Sequence, residues 1–216
     1  MGKYRVAIVI PAFNEDLTIK NVINSVKAHG DVIVVNDAST DNTEVTARNC
    51  GAIVINHDSN KGYEAALDSG IKKAAELKYD AFITFDADGQ HSSKDLMRFV
   101  ELLHGSFDLV LGIRPKTQRF AEWVFKKYTN LFLNWKDPLC GMKGYSMNLY
   151  KDKGCFASYN SVGTELALFG IINHYKFTQI DLNINERQDK PRFSSIMKAN
   201  IIIFKALVNI IFRSHK

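Results

Sequence analysis

Several features that are common in other protein classes are scarce or absent in this sequence. It has three cysteines, an odd number, and no C-x-x-C pair. We therefore expect neither a disulfide framework nor a zinc site, and all three thiols to stay reduced in the cytosol. The G-x-G-x-x-G fingerprint of dinucleotide-binding folds is also missing, which argues against an oxidoreductase. The apolar run at residues 6–10 ends at Pro11 and is too short for a signal peptide, so we expect no export.

Length and composition favour one globular domain. The chain has 216 residues, of which 46% are hydrophobic and 24% are charged, and a chain of this size can bury a core of its own. The net charge is +5, and basic residues are concentrated at positions 114–127 and again after position 190. This distribution suits a phosphate or an anionic surface. Because no nucleic-acid-binding motif is present, we expect no nucleic-acid partner.

Three short apolar runs are each followed by acidic or amide residues. Such runs are typical of buried strands, and the segments between them have helical spacing, which predicts an α/β fold with a mostly parallel central sheet flanked by helices. Parallel strands end at one edge of a sheet, so the polar residues that follow them should converge there. The runs are residues 4–10, 32–35 and 81–85, and the acids that follow them are Glu15, Asp37, Asp86 and Asp88.

The pair Asp86 and Asp88 predicts a metal ion that carries phosphates. Mg²⁺ and Mn²⁺ bind a few carboxylate oxygens and take their other ligands from water and substrate phosphate. Taken alone, such a pair more often caps a helix or lines a solvated turn, so the prediction depends on its context. Lys61 and Gly62 precede a predicted helix, whose first N–H groups could bind an anion; the alternative is a simple loop before a packed helix.

Four motifs in sequence order together resemble the family 2 glycosyltransferases of GT-A fold. They are Pro11-Ala12-Phe13-Asn14-Glu15, Asn36-Asp37-Ala38-Ser39-x-Asp41-x-Thr43, Asn60-Lys61-Gly62 and Phe85-Asp86-Ala87-Asp88-Gly89-Gln90-His91. The later Gly112-x-Arg114 and Asp137-Pro138-x-x-Gly141 look most like the branch that contains dolichyl-phosphate mannose synthase and polyprenyl-phosphate glycosyltransferases. The similarity covers roughly the first 150 residues, and four ordered motifs are far more specific than any one of them.

The resemblance implies a role for most of these residues. Pro11, Phe13 and Glu15 would line the nucleotide pocket, Asp37 would take the base, Asp86 would lie by the ribose or the metal, and Asp88 would hold Mn²⁺ or Mg²⁺. Substrate contacts are also implied for Lys61, Gly62, Gln90 and Arg114. From the residues alone, Asp37 and Asn36 could instead form an Asx turn, and Glu15 could cap the first helix.

The acceptor decides whether a general base is needed. In an inverting transfer a hydroxyl acceptor needs a base, whereas a phosphate acceptor is already anionic at neutral pH. Glu165 is similar in placement to the acid that serves as base in hydroxyl-using relatives, and Asp137 is the competing carboxylate. Glu165 could instead stabilise the dipole of the apolar helix that it begins.

Several positions expected to contact phosphate differ from the lipid-phosphate branch. Where that branch tends to have Ser-Gly-Phe-Arg, this chain has Cys140-Gly141-Met142-Lys143, and Lys126 or Lys127 replaces an expected arginine. Lysine balances a phosphate as a point charge but lacks the bidentate fork of arginine. Arg187 and Arg192 resemble the late Arg…Ser segment of the branch, which contacts diphosphate or acceptor phosphate. We therefore favour a phosphate acceptor, with Lys143 and Arg192 as binding residues and Arg187 in the catalytic set.

Two segments mix apolar and basic residues at helical spacing. Residues 197–212 are mostly apolar, and four polar residues form one stripe along them, namely Lys198, Lys205, Asn209 and Arg213. At about 1.5 Å per residue this helix is roughly 24 Å long, shorter than a hydrocarbon core of about 30 Å. We expect it to lie in the membrane interface together with the aromatic and basic segment that begins at Phe120. The alternative is that both helices pack on the domain or on another subunit.

Together these patterns predict a GT-A domain over residues 1–196 and an amphipathic C-terminal helix over 197–216. The favoured function is metal-dependent, inverting transfer of a hexose from a UDP- or GDP-sugar to polyprenyl phosphate. We expect a cytoplasmic protein, peripheral at the inner face of the membrane. One alternative is extension of a cell-surface polysaccharide or lipid-linked glycan on a sugar hydroxyl with Glu165 as base, and another is nucleotide-sugar binding without catalysis. A nucleotidyltransferase is disfavoured because its Gly-rich loop after the first strand is absent. The sequence leaves the sugar and homo-oligomer formation open.

Overall fold

A seven-stranded sheet forms the centre of the molecule, in the strand order β3-β2-β1-β4-β6-β5-β7. The computed structural model describes residues 4–89, 91–117, 119–159, 161–183 and 196–214. Within them the strands are β1 (Val6–Ala12), β2 (Asp31–Asn36), β3 (Ile53–Asn56), β4 (Ala81–Thr84), β5 (Leu109–Ile113), β6 (Lys143–Ser146) and β7 (Phe177–Asp181). All neighbouring pairs are parallel except those that β6 forms with β4 and β5.

Helices follow most of the strands in the chain. They are α1 (Asp16–Val26), α2 (Thr43–Asn49), α3 (Tyr63–Glu76), α4 (Ser93–His104), α5 (Phe120–Leu133), α6 (Met147–Lys153), α7 (Glu165–Ile172) and α8 (Ile196–Ser214). The strands and helices predicted from the apolar runs are confirmed, with ends shifted by one or two residues. The sequence analysis did not predict β6, α6 or β7.

Two hydrophobic clusters cover the two faces of the sheet. Helices α1 and α4 pack on one face, and α3, α5, α6, α7 and α8 pack on the other. Every residue of β1 is buried, as expected for a central strand of a parallel sheet covered by helices on both sides. Helix α3 approaches β1 closely because Gly70 has no side chain; a Cβ there would collide with Val9.

The antiparallel strand β6 divides the carboxyl edge of the sheet into two halves. In register, Lys143 at the start of β6 pairs with Thr84 at the end of β4, so the beginning of β6 lies at the edge where β4 ends. The strand order therefore places the ends of β1, β2 and β3 on one side of β4, and the beginning of β6 and the end of β5 on the other.

The long helix α8 has one buried face and one exposed face. Its buried residues Ile203, Ala206 and Leu207 join the cluster that also contains α5 and α7. Over residues 199–212, whose side chains the structure describes, the exposed face is apolar apart from Lys205, with Ile201, Ile202, Phe204, Val208 and Phe212 open to solvent. None of the described helices is both long and apolar enough to cross a bilayer.

Candidate active site

The two predicted metal ligands lie in the turn that follows β4. Asp86 accepts a hydrogen bond from the Tyr63 hydroxyl (3.2 Å), and its other carboxylate oxygen lies 3.3 Å from His91 Nε2. A Cβ at Gly141 would collide with the Asp86 carboxylate, so only glycine leaves room for it there. Asp88 is buried two residues further on. The carboxylate of Asp86 is thus held from three directions at the middle of the carboxyl edge.

This turn has the donors that a hard divalent cation prefers. Carboxylate oxygens of Asp86 and Asp88 suit Mg²⁺ or Mn²⁺, and the buried His91 Nδ1 has no hydrogen-bond partner within the described part of the chain. Over those same residues, no group of three or more His, Cys, Asp or Glu side chains is arranged to hold a metal. The two carboxylates therefore fit an ion that takes its remaining ligands from other molecules, such as water.

On the β1–β3 side, Asp37 organises the loop that precedes α3. One of its oxygens accepts the backbone N–H of Lys61 (2.8 Å) and lies 2.7 Å from His57 Nδ1, and the other accepts the N–H of Gly62 (2.8 Å). His57 Nε2 in turn lies 2.8 Å from the Ser69 hydroxyl. Three of the about four acceptor positions of the carboxylate are thus occupied, which leaves about one for a ligand. Because these donors come from distant segments, the contacts of Asp37 are not an Asx turn; the local contact is made by Asn36, whose Oδ1 accepts the N–H of Ser39 (3.2 Å).

The first motif lines the same side of the edge. Pro11 lies within β1 and pairs with Val35, whereas Phe13 is 41% exposed just beyond the strand. Glu15 occupies the N-cap position of α1, but its side chain makes no capping bond there. Its buried carboxylate accepts a hydrogen bond from the Thr18 hydroxyl (3.1 Å). The helix-cap alternative for the Glu15 side chain is therefore wrong.

On the β5–β6 side, the buried Asp137 is the centre of an ion-pair cluster whose cations are only partly buried. The cluster is defined as Arg114, Arg119, Glu122, Lys126 and Asp137. Arg114 binds Asp137 through a bidentate fork (2.9 and 3.0 Å) and its backbone N–H (3.0 Å), and Lys126 Nζ lies 3.2 Å from the same carboxylate. Glu122 lies 3.5 Å from Arg114 and 2.8 Å from Arg119. The cluster thus pairs three cations with two carboxylates.

These contacts leave Asp137 poorly suited to accept a proton. Burial alone would raise its pKa, but the hydrogen bonds and charges of Arg114 and Lys126 outweigh burial and hold the pKa below its ordinary value. The carboxylate is also wholly buried. The geometry therefore favours Asp137 as the partner that orients Arg114 and Lys126, not as a base.

Glu165 is held by contacts of a similar kind. One carboxylate oxygen accepts bonds from Lys153 Nζ and the Ser158 hydroxyl, both at 2.7 Å, and the other accepts the Ser158 N–H at 2.6 Å. Burial would raise its pKa, but the bonds from Lys153 and Ser158 lower it below its ordinary value. Both oxygens are therefore engaged within the protein, which favours a structural role for Glu165.

Lys143 carries a buried positive charge beside Asp86. Its Nζ donates to the Gly163 carbonyl (3.1 Å) and lies 6.0 Å from the ring centre of Trp135. Burial lowers the pKa of Lys143 to about 8, although the carboxylates of Asp137 and Asp86 act in the opposite direction. A lysine kept at this position is well placed to balance anionic oxygen near the β4 turn.

Three predicted site residues, Gln90, Arg187 and Arg192, lie outside the described residues. Conversely, the sequence analysis assigned no role to Tyr63, His57 or His91, which contact the predicted acids. His91 stands within a quoted motif and Tyr63 directly follows another, so proximity to the motifs was the available signal. No sequence signal marked His57, because its contact with Asp37 joins the ends of two different strands.

Comparison with known proteins supports one family. The model of the family described as Glycosyl transferase family 2 matches residues 7–162. The UDP-N-acetylglucosamine–dolichyl-phosphate N-acetylglucosaminyltransferase of Methanococcus voltae is 35% identical over 65% of this chain and 65% of that protein. The undecaprenyl-phosphate mannosyltransferase of Micrococcus luteus is 30% identical over 65% of this chain and 66% of that protein. The chain thus spans just under two thirds of the length of these two relatives.

Solved structures show the same architecture. Glucosyl-3-phosphoglycerate synthase from Mycobacterium tuberculosis, in complex with Mn²⁺, uridine diphosphate and glucosyl-3-phosphoglycerate, aligns with a TM-score of 0.76 over 98% of this chain and 80% of that chain. At 18% sequence identity this likeness shows the fold alone. The predicted GT-A fold is confirmed.

Proposed function

The chain belongs to glycosyl transferase family 2, and from that premise we propose that it transfers a hexose from a UDP- or GDP-sugar to polyprenyl phosphate. The proposed reaction depends on Mn²⁺ or Mg²⁺, inverts the configuration of the sugar at C1, and takes place at the cytoplasmic face of a membrane. The two relatives named above act on dolichyl phosphate and undecaprenyl phosphate according to their names, which supports this class of acceptor.

The choice of a phosphate acceptor depends on one observation: both carboxylates predicted as bases are already engaged in contacts within the protein. Asp137 and Glu165 both have their oxygens occupied by cations and N–H or O–H donors, and both have lowered pKa values. A hydroxyl acceptor would need a base to take its proton, and these two carboxylates were the bases predicted from the sequence. A phosphate acceptor needs no base, and the cationic surplus of the ion-pair cluster and Lys143 favours an anionic acceptor on this side of β4.

The geometry suggests how the chain divides the work. The ends of β1–β3, with Phe13 and the loop held by Asp37, form the donor side, and Asp86 and Asp88 lie at the boundary with the acceptor side. When bound by these two aspartates, the metal ion would neutralise charge on the diphosphate. An acceptor phosphate oxygen would form a bond to the sugar C1 as the bond from C1 to the diphosphate breaks. The electron pair of the broken bond would leave with the nucleoside diphosphate. Lys143 would stabilise the anionic oxygens on the acceptor side.

A contact with the membrane surface is part of the proposal. Helices α5 and α8 pack against each other, and both expose large apolar side chains beside lysines. On α5 these are Phe120, Trp123, Leu131 and Phe132, and on α8 they include Ile201, Phe204, Val208 and Phe212. Helix α5 also supplies Lys126 to the ion-pair cluster. Docking of this surface on a bilayer would bring the headgroup of a lipid phosphate towards the cluster.

Product analysis by mass spectrometry tests the proposal. Purified protein is incubated with Mn²⁺ or Mg²⁺, a panel of UDP- and GDP-sugars and a short polyprenyl phosphate. We expect a glycosyl-phosphate-polyprenol that requires the metal, disappears in Asp88→Ala and persists in Glu101→Ala, which removes an exposed acid from α4.

Other outcomes would support the alternatives. Release of nucleoside diphosphate without a lipid product would favour a hydroxyl acceptor, and nucleotide-sugar binding without turnover would favour a non-catalytic binding protein. Sedimentation with anionic vesicles, compared between wild type and Trp123→Ser, tests the membrane contact separately. Equal sedimentation of the two proteins would argue against it.

A further inference from the structure

The loop between α6 and α7 is tied to the start of α3 by acidic side chains. One oxygen of Glu64 accepts the backbone N–H groups of Ser161 (3.1 Å) and Gly163 (2.8 Å) as well as the Ser161 hydroxyl. One turn later on α3, Asp68 accepts the N–H of Phe156 (3.1 Å). Residues 156–163, apart from position 160, which lies outside the described part, are thus anchored at two points by the same helix.

The turn that Glu64 holds is strained. Val162 has φ = 55° and Gly163 has φ = 70°. A β-branched residue in the left-handed region is a true outlier that persists only where its surroundings over-determine it. The Glu64 carboxylate binds the N–H groups on both sides of Val162, and the Thr164 hydroxyl donates to the Ser161 carbonyl (2.6 Å). These contacts supply the constraint that the conformation needs.

The same turn contacts Lys143 and Tyr63, which lie near Asp86. The Gly163 carbonyl accepts the hydrogen bond from Lys143 Nζ (3.1 Å). A Cβ at Gly163 would lie 3.4 Å from the ring of Tyr63, whose hydroxyl donates to Asp86. A chain of direct contacts therefore runs from Glu64 through the turn to Lys143.

We propose that Glu64 is a positioning residue for the acceptor side of the site: by fixing the turn at residues 161–163, it sets where Lys143 presents its ammonium group to the acceptor phosphate. This inference rests on the proposed function, since it assumes a phosphate acceptor. Glu64 would act through the turn, since its carboxylate is engaged by Ser161 and Gly163. The donor loop at residues 57–62 is held separately by Asp37, so the effect should fall on the acceptor and spare the donor.

The test compares Glu64→Ala and Glu64→Gln with Glu76→Ala, which removes an exposed acid from the other end of α3. Hydrogen exchange of the Ser161 and Gly163 amides reports on the turn, and steady-state kinetics report on the substrates. In Glu64→Ala we expect the exchange rate of both amides to rise about tenfold or more, because their hydrogen bonds to the Glu64 carboxylate are lost. The KM for polyprenyl phosphate should rise by a similar factor, because the turn no longer holds Lys143 in place. The donor KM should stay within about twofold. Glu64→Gln keeps one acceptor oxygen and should lie between Glu64→Ala and wild type, while Glu76→Ala should match wild type.

A second variant separates the conformation of the turn from the charge of Glu64. Glycine adopts the left-handed region without steric strain. Val162→Gly placed in the Glu64→Ala protein should therefore lower the KM for polyprenyl phosphate part of the way back to the wild-type value. If the double variant binds acceptor no better than Glu64→Ala, the effect does not act through the strained turn and the proposal is overturned.

Two further outcomes would overturn the inference. Unchanged amide exchange in Glu64→Ala would show that Glu64 does not fix the turn, and faster exchange with an unchanged acceptor KM would show that the turn does not serve the acceptor. If wild type forms no lipid product with any donor, the proposed function fails and the acceptor role fails with it. The exchange data would then still decide whether Glu64 holds the turn, so the two failures are distinguishable.

Discussion

Replacing Lys143 by methionine should make the protein more stable and less active. The pKa of Lys143 falls from an ordinary value of 10.5 to about 8 because the side chain is buried. Each pKa unit corresponds to about 1.4 kcal/mol, so keeping this ammonium charged at pH 7 costs the folded state about 3 kcal/mol. Methionine has a similar length and no charge. It leaves the Gly163 carbonyl without its bond from Lys143, a loss of about 1 kcal/mol, so we expect a net gain of about 2 kcal/mol in unfolding free energy.

The stability gained by Lys143→Met should depend on pH. Below pH 8 Lys143 is protonated in both the folded and the unfolded state, so the folded state bears the full cost of burial. Between pH 8 and 10.5 the folded state loses its proton first, the unfolded state binds more protons, and wild type gains stability as pH rises. The advantage of Lys143→Met should therefore be full at pH 7 and mostly gone at pH 10.

Urea unfolding at both pH values, with a metal chelator present, measures this difference. Lys176→Met removes an exposed lysine and should change stability by less than about 0.5 kcal/mol at either pH. Under the proposed function, Lys143→Met should also lower kcat/KM for the lipid phosphate about a hundredfold, the usual scale for one lost electrostatic donor. A variant less stable than wild type at pH 7, or an advantage that persists at pH 10, would refute the reasoning.

Three further predictions follow from the carboxylates. Because the pKa of Glu165 is lowered, its carboxylate stabilises the folded state above the ordinary pKa of 4.5, and this stabilisation is lost as pH falls through the lower pKa of the folded state. The difference in stability between wild type and Glu165→Gln should therefore become smaller in acid. The kcat of Glu165→Gln should keep the wild-type pH profile, and a changed profile would indicate that Glu165 is a base. Asp137→Asn leaves the partly buried cations Arg114 and Lys126 poorly paired and should destabilise by about 3 kcal/mol in urea, the lower end of the range for a fully buried pair; a loss below about 1 kcal/mol would contradict the ion-pair cluster. Gly141→Ala should displace the Asp86 carboxylate and weaken Mn²⁺ binding in calorimetry, and unchanged affinity would count against Asp86 as a ligand.

The sequence was most informative where one local pattern determined one element. The apolar runs before Pro11, Asn36 and Asp86 predicted β1, β2 and β4, since a buried strand in a parallel sheet is a continuous hydrophobic run. The run that became β6 was missed because Lys143-Gly144-Tyr145-Ser146 is short and mixes a charge with small and aromatic residues. Its burial comes from its neighbours β4 and β5, which no local pattern records.

The tertiary structure assigned contacts that the sequence could only leave open. Asp137 and Glu165 were both candidate bases because a carboxylate near a strand end or at a helix start has the same sequence signal whether it is paired or not. The partners that decide between these roles, Arg114 for one and Lys153 and Ser158 for the other, are brought in by the fold. The contacts of His57 with Asp37 and of Glu64 with the turn at residues 161–163 likewise join segments far apart in the chain.

By itself, then, the sequence determined the α/β class, the family resemblance and the edge of the sheet where the acids collect, because these depend on hydrophobic periodicity and on short ordered motifs. Only the tertiary structure decided which carboxylates are engaged, which side of β4 carries the surplus of cations, and which glycine makes room for Asp86. These properties depend on distances between residues that are remote in sequence, and their energies come from burial and charge pairing that exist only once the chain is folded.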